Sequence, residues 1–197
     1  MRIDIIVFDG VDEVDAIGPF EVFRNAEHAG AELHAQLVSL TPVAQVTGSH
    51  GLRFTPDAAY SPGADAVLAP GGGWNDRRDV GAWGEAQRGD WLERIRAAKD
   101  GGAVLTGVCT GVMMLATAGV IGSRRATTHH GAWDELAATG ATLVRDRVVD
   151  DGDLITCGGV TSGLDLAFWL IEREFSAALA DGIAKEMEWP RSRPGTS

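Results

Sequence analysis

Thr106-Gly107-Val108-Cys109-Thr110-Gly111 decides how this chain is read. An apolar run, Ala103-Val104-Leu105, leads into it, and an apolar helical run, Val112 to Ala118, leads out. The pattern is G-x-C-x-G between a strand and a helix. That is the nucleophile-elbow arrangement of α/β hydrolases with sulfur in place of the serine oxygen. Gly107 and Gly111 are required because so sharp a turn brings backbones too close for a Cβ. The turn lifts Cys109 out at the carboxyl end of a parallel strand. There, free N–H groups and the positive end of the next helix favour an anion. A thiol of ordinary pKa, about 8.5, is little ionised at neutral pH. The expectation is a reactive Cys109 thiolate of depressed pKa; the alternative is a buried thiol packed as a small hydrophobe.

Outward from the elbow, strand and helix patterns alternate. Ile3 to Phe8 reads as a buried first strand. Residues 9–15 read as a loop, and Gly18-Pro19 opens a helix through Ala29. Leu33 to Leu40 and Asp65 to Ala69 are further strands, with a hairpin or irregular excursion over Thr47 to Pro56. Trp74 to Gly81 is loop, and Trp91 to Lys99 is a helix ending at Gly101-Gly102. Beyond the elbow, Arg125 to Thr128 is a short strand and Trp133 to Thr139 a helix. Thr142 to Val149 and Leu154 to Thr156 form a hairpin about an Asp-Gly turn. Helices over Gly163 to Phe175 and Ala177 to Met187 follow. The sum is an α/β, doubly wound, mostly parallel sheet. Residues 1–189 form a single domain and 190–197 a loose tail. Ligands of such sheets bind beyond the strand carboxyl ends, at the topological switch point.

Composition narrows the function. The 197 residues suffice for one domain, burying roughly 70% of the unfolded surface. Lys and Arg number 17 against 28 Asp and Glu, a net charge of −11, which argues against nucleic acid and anionic membranes as partners. Two cysteines make no disulfide framework. Met1 runs straight into a strand with no charged leader, and no apolar stretch approaches the ~20 residues of a membrane span. A reducing cytoplasm is the expected compartment.

Several residues near the strand ends carry chemistry. Asp15, on the loop after the first strand, faces Cys109 as a partly protonated acid able to pass a proton to substrate; alternatively it is an ordinary acid at a helix start. Glu21 is a weaker candidate. Pro70-Gly71-Gly72-Gly73 offers bare N–H groups for an oxyanion, or is only a tight turn. His129 and His130 offer a base for a Cys–His arrangement, with a packed or solvated loop pair as the favoured reading. Cys157 and Gly159 border the same pocket, Cys157 reading better as a structural thiol. No second ligand cluster has metal spacing.

These motifs, taken in order, resemble one family. Val108-Cys109-Thr110-Gly111, Ala118-Gly119, Arg124-Arg125-Ala126-Thr127-Thr128-His129 and Gly158-Gly159-Val160-Thr161-Ser162-Gly163-Leu164-Asp165 resemble the DJ-1/PfpI superfamily. Asp15-Ala16-Ile17-Gly18-Pro19 completes the pattern. Within it the chain looks most like the isocyanide (isonitrile) hydratases, and is similar to the amidase-like half of certain AraC-type regulators. The resemblance implies a flavodoxin-like sandwich of the class I glutamine amidotransferase type, a homodimer and a small-molecule substrate. It implies hydration of an isocyanide to an N-formamide without cofactor or metal, with Cys109 as nucleophile. Asp15 falls at the family's acid, Thr110 beside the nucleophile, and Gly72 and Gly73 at the backbone donors. The PfpI-type proteases have His after the nucleophile; here Thr110 stands there. The hydratases tend to have Trp where His130 stands and a small residue where Cys157 stands. Glyoxalase-like or amidase-like chemistry from Cys109 is a second expectation, and a thiol oxidation sensor or ligand-binding module a third.

Overall fold

The first strand, β1 (Arg2–Ile6), is buried along its length after Arg2, as its apolar run requires. Its one acid, Asp4, is fully buried and held by Arg2 (3.2 Å) and by the Gln36 amide, which donates at 2.8 Å. This computed structural model describes residues 1–195. After β1 come α1 (Glu13–His28), β2 (His34–Ser39), β3 (Val46–Thr47), β4 (Arg53–Phe54), β5 (Ala58–Ala59) and β6 (Ala66–Ala69). Then follow α2 (Ala82–Arg88), α3 (Asp90–Asp100), β7 (Val104–Val108), α4 (Gly111–Thr117) and β8 (Arg125–Ala126). The chain continues with α5 (Trp133–Ala138), β9 (Thr142–Leu143), β10 (Val148–Asp150), β11 (Leu154–Cys157), α6 (Ser162–Glu174) and α7 (Ala177–Glu186).

Among the described residues the main sheet runs β10-β11-β7-β6-β1-β2-β5, parallel except for β10 against β11. From β1 the chain moves to β2 on one side, then crosses to β6, β7 and β11 on the other. The winding therefore reverses between β1 and β6, and the crevice beyond their carboxyl ends is the natural ligand position. Helices α1, α6 and α7 pack together, and α2, α3 and α4 form a second group. The result is the α/β sandwich expected from the alternating pattern.

Four local differences have physical causes. Helix α1 starts at Glu13, not at Gly18. Asp12 is its N-cap, accepting from the Val14 N–H at 3.2 Å, and Glu13 puts negative charge in its first turn. Pro19 lies inside the helix, where it has no N–H to give to the Asp15 carbonyl. Helix α2 occupies a stretch that periodicity leaves unassigned. The strand expected over 142–149 is split: β9 pairs with β8 in a separate ribbon, while β10 makes the Asp-Gly hairpin with β11. The tail expected to be loose is strapped down over residues 191–193. Ser192 N–H donates to the buried Asp165 at 2.7 Å, and Arg191 and Arg193 pair with Glu172 and Asp181. Residues 196–197 of that tail lie outside the described residues.

Candidate active site

Cys109 sits in the turn between β7 and α4 with φ 55°, a left-handed conformation that few non-glycine residues adopt. Such backbone costs of order 1–3 kcal/mol and persists only where its surroundings fix it. Here the Cys109 N–H donates to the Gly158 carbonyl (2.9 Å), and the Thr128 hydroxyl donates to the Cys109 carbonyl (2.8 Å). The two flanking glycines are steric necessities. A Cβ on Gly111 would lie 2.0 Å from the Ala69 carbonyl oxygen, and one on Gly107 2.8 Å from Val112.

The switch-point crevice holds a small polar cavity of about 190 Å³. Cys109, Thr110, Gly72, Gly73, His129 and Val160 border it. The side chain of Asp15 lies beneath, fully buried, reached from the first turn of α1 rather than from a loop. Its Oδ2 accepts the Gly71 N–H at 2.9 Å, while Oδ1 is buried without a partner. Burial, then the negative charge of Asp12, push the Asp15 carboxyl up to about 8; the Gly71 N–H, the Cys109 thiol and the Val160 N–H oppose this. Asp15 is therefore a protonated acid at neutral pH, as its candidate role needs.

The thiol does not follow the expectation of a depressed pKa. Cys109 is 7% exposed, and burial drives its pKa upward, with Asp15 as the next cause. The N–H groups of Thr110 and Val160 pull the other way and do not overcome it. Desolvation outweighs the end of a helix that is only seven residues long. Once Asp15 is protonated its share of the rise vanishes, so the resting pair is a neutral acid beside a neutral thiol.

The backbone donors are also redistributed. Gly71 N–H is taken by Asp15, and Gly72 N–H donates to the Thr110 hydroxyl at 3.2 Å, so Gly72 is not the free donor expected of it. Gly73 borders the cavity, and Thr110 and Val160 present N–H groups toward sulfur. Val160, at φ 46°, escaped the sequence reading; two glycines before a helix marked a bend there but not which residue would carry it. Asp12, Trp74, Asn75 and Asp76, which also line the cavity, carry no local motif either.

The two histidines part company. His129 borders the Cys109 cavity, whereas His130 borders a separate cavity of about 230 Å³ with Gly159, Trp133 and Arg145. His129 Nδ1 accepts the Gly131 N–H at 3.1 Å, which leaves the ring proton on Nε2. Burial, then His130, lower its pKa, so it is a neutral donor with no free lone pair for a base. Gly159 allows this placement, since a Cβ there would lie 2.5 Å from the His129 ring. Cys157 is fully buried in β11, alongside Val108, with its thiol pKa pushed far up by burial.

Asp12, Glu13 and His50 bring potential ligand atoms within 4.8 Å, a convergence that sequence spacing hid. Both Glu13 oxygens are already engaged: His50 N–H at 2.7 Å, Leu52 N–H at 3.2 Å, the Ser49 hydroxyl at 3.3 Å and the His50 ring at 2.7 Å. The cluster accounts for the turn between β3 and β4 without a cation.

Comparison with known proteins places the fold in a family. The DJ-1/PfpI family matches residues 1–173. A Pseudomonas putida protein named isonitrile hydratase is 33% identical over 196 residues, 98% of this chain and 81% of that one. A THiJ/PfpI family protein from Pseudomonas syringae superposes with a TM-score of 0.85 at 26% identity, covering 99% of this chain and 77% of the other. Schizosaccharomyces pombe DJ-1 shares the fold, with a TM-score of 0.81 at 20% identity over 96% of this chain and 100% of its own. The chain belongs to the DJ-1/PfpI family.

Proposed function

We propose that the chain is a cysteine-dependent hydratase that converts an isocyanide to an N-formamide through a thioimidate. The observation that carries this reading is a protonated, buried carboxyl against a thiol, opening on a small polar cavity. A neutral acid paired with a neutral thiol suits an electrophile whose single carbon must accept both a sulfur and a proton. Asp15 delivers its proton to the terminal carbon as Cys109 sulfur bonds to it, and the thiol proton returns to Asp15. The product is a thioimidate, with one S–C and one C–H bond formed. Water then adds across C=N; the C–S bond breaks, a proton returns to sulfur, and the formamide leaves. The N–H groups of Thr110 and Val160 face developing charge on sulfur, Gly73 lies at the cavity wall, and His129 Nε2–H is a further donor. The scheme invokes no cofactor.

Incubation with an alkyl isocyanide and detection of the formamide tests the reading. Turnover by the wild type and none by Cys109→Ala is expected. Equal turnover by both overturns it, and activity on methylglyoxal but not on isocyanides selects the alternative cysteine chemistry instead.

The same reading includes one domain over residues 1–189, a cytoplasmic location and a homodimer. No helix among the described residues is long and apolar enough to cross a membrane. A groove of about 620 Å³ beside α1, lined by Ile17, Leu164 and Met187, exposes Val14 (41%) and Leu52 (49%) and supports this face as the dimer surface.

A further inference from the structure

Two walls flank the open cavity over Cys109. Trp74, Asn75 and Asp76 contribute one, on the loop after β6; His129 contributes the other, on the segment leading into α5. The loop is folded on itself. Arg77 N–H donates to the Trp74 carbonyl and Arg78 N–H to the Gly73 carbonyl, each at 3.0 Å, with Arg77 at φ 53°. Asn75 reaches the opposite wall, lying where a Cβ on Gly131 would be 2.7 Å away.

One side chain ties the walls together. Glu135 of α5 accepts the Trp74 indole N–H at 3.1 Å and two guanidinium N–H groups of Arg77 at 3.2 and 3.0 Å. The Arg77 guanidinium lies 4.0 Å above the Trp83 ring, and Trp83 meets Trp74 edge to face at 5.1 Å. A two-pronged Arg–carboxylate pair fixes direction as well as distance. Glu135 and Arg77 are both partly exposed, so the tie is not part of the hydrophobic core.

We propose that Glu135 is a positioning residue that sets the width of the Cys109 cavity and so restricts its substrate to slim, unbranched groups. With the pair intact the cavity is about 190 Å³ and admits a short chain. With it broken, the loop carrying Trp74 and Asn75 is released from α5 and bulkier groups reach the sulfur. The substrate class rests on the proposed hydratase reading; the width does not.

The test therefore uses alkylation, which needs no turnover. Rates of Cys109 modification by iodoacetamide and by its N-benzyl derivative are measured by intact mass at one pH, so the thiolate fraction cancels in their ratio. Cys109→Ala is the blank for the buried Cys157. Glu135→Gln and Arg77→Gln are each expected to raise the bulky-to-small ratio about fivefold, the scale an exposed ion pair supports. The double variant should add little beyond the larger single effect, since both changes break the same Glu135–Arg77 pair. A ratio within about twofold of wild type in both folded single variants, or effects that multiply, overturns the proposal. So does a Cys109 that neither reagent modifies in any variant. Loss of isocyanide turnover in the wild type would sink the hydratase reading and leave this ratio unaffected.

Discussion

The carboxyl of Asp15 and the thiol of Cys109 perturb one another inside one buried site, although the two are carried by α1 and by the turn after β7. Charge on Asp15 raises the cost of charge on Cys109, whereas the thiol itself eases charge on Asp15. Burial puts the proton on Asp15 at neutral pH, so the pair rests as an acid and a thiol rather than as a carboxylate and a thiolate.

A pH dependence follows. In the proposed hydratase scheme the Asp15 proton is consumed, so kcat/KM is expected to fall above about pH 8, with the apparent value belonging to the pair. Asp15→Asn should lower kcat roughly 10²- to 10⁴-fold and remove that limb from the pH–rate profile. Stability carries the same sign. The folded pKa is raised above the ordinary 3.8, so this group's contribution is greatest below that value and declines as pH rises toward about 8. Wild-type Tm should therefore drop across that window by more than the Tm of Asp15→Asn does.

Glu13 behaves oppositely. The His50 ring and the backbone N–H groups of His50 and Leu52 hold its carboxyl down at about 2 against the cost of burial. Its contribution is full above the ordinary 4.5 and is lost as pH falls toward about 2. Glu13→Gln is expected to destabilise the fold by about 2 kcal/mol at neutral pH, a Tm decrease of roughly 4–8 °C. An unchanged Tm in differential scanning calorimetry would show that the turn after β3 does not depend on this charge.

Two glycines should respond in opposite directions to alanine. At Gly111 the added Cβ meets the Ala69 carbonyl oxygen at 2.0 Å, backbone that cannot yield, and a loss of about 3 kcal/mol or more is expected. Gly182, inside α7, has nothing within 4 Å. There alanine should stabilise by roughly 0.5–1 kcal/mol through helix propensity. Urea denaturation of both variants checks the pair of signs.

Sedimentation velocity checks the dimer face. Val14→Glu with Leu52→Glu places charge on the groove beside α1 and is expected to convert a two-chain species to a monomer. A wild type that already sediments as a monomer, or a variant that stays dimeric, removes this face from consideration.

Sequence alone determined the sheet class and marked the turn at Cys109 and the acid at Asp15 as candidates. Those are local matters: an apolar run of strand length, glycines where no Cβ fits, a cysteine between them, and an acid after the first strand. For the start of α1, Gly18-Pro19 is a strong local signal, while the competing one that wins, Asp12 as N-cap, needs the backbone that it caps. Only tertiary structure decided the electrostatics. Whether Cys109 is acidic depends on how much water and how many N–H groups surround it, and burial reversed the sign expected from the helix end. It also decided that Gly72 N–H is spent on Thr110, that His129 keeps its proton on Nε2, and that Glu135 ties Trp74 and Arg77 across the cavity. Each of these joins residues far apart in the chain, or turns on how a bond between near neighbours is oriented by the surrounding fold. Spacing along a sequence carries no record of either.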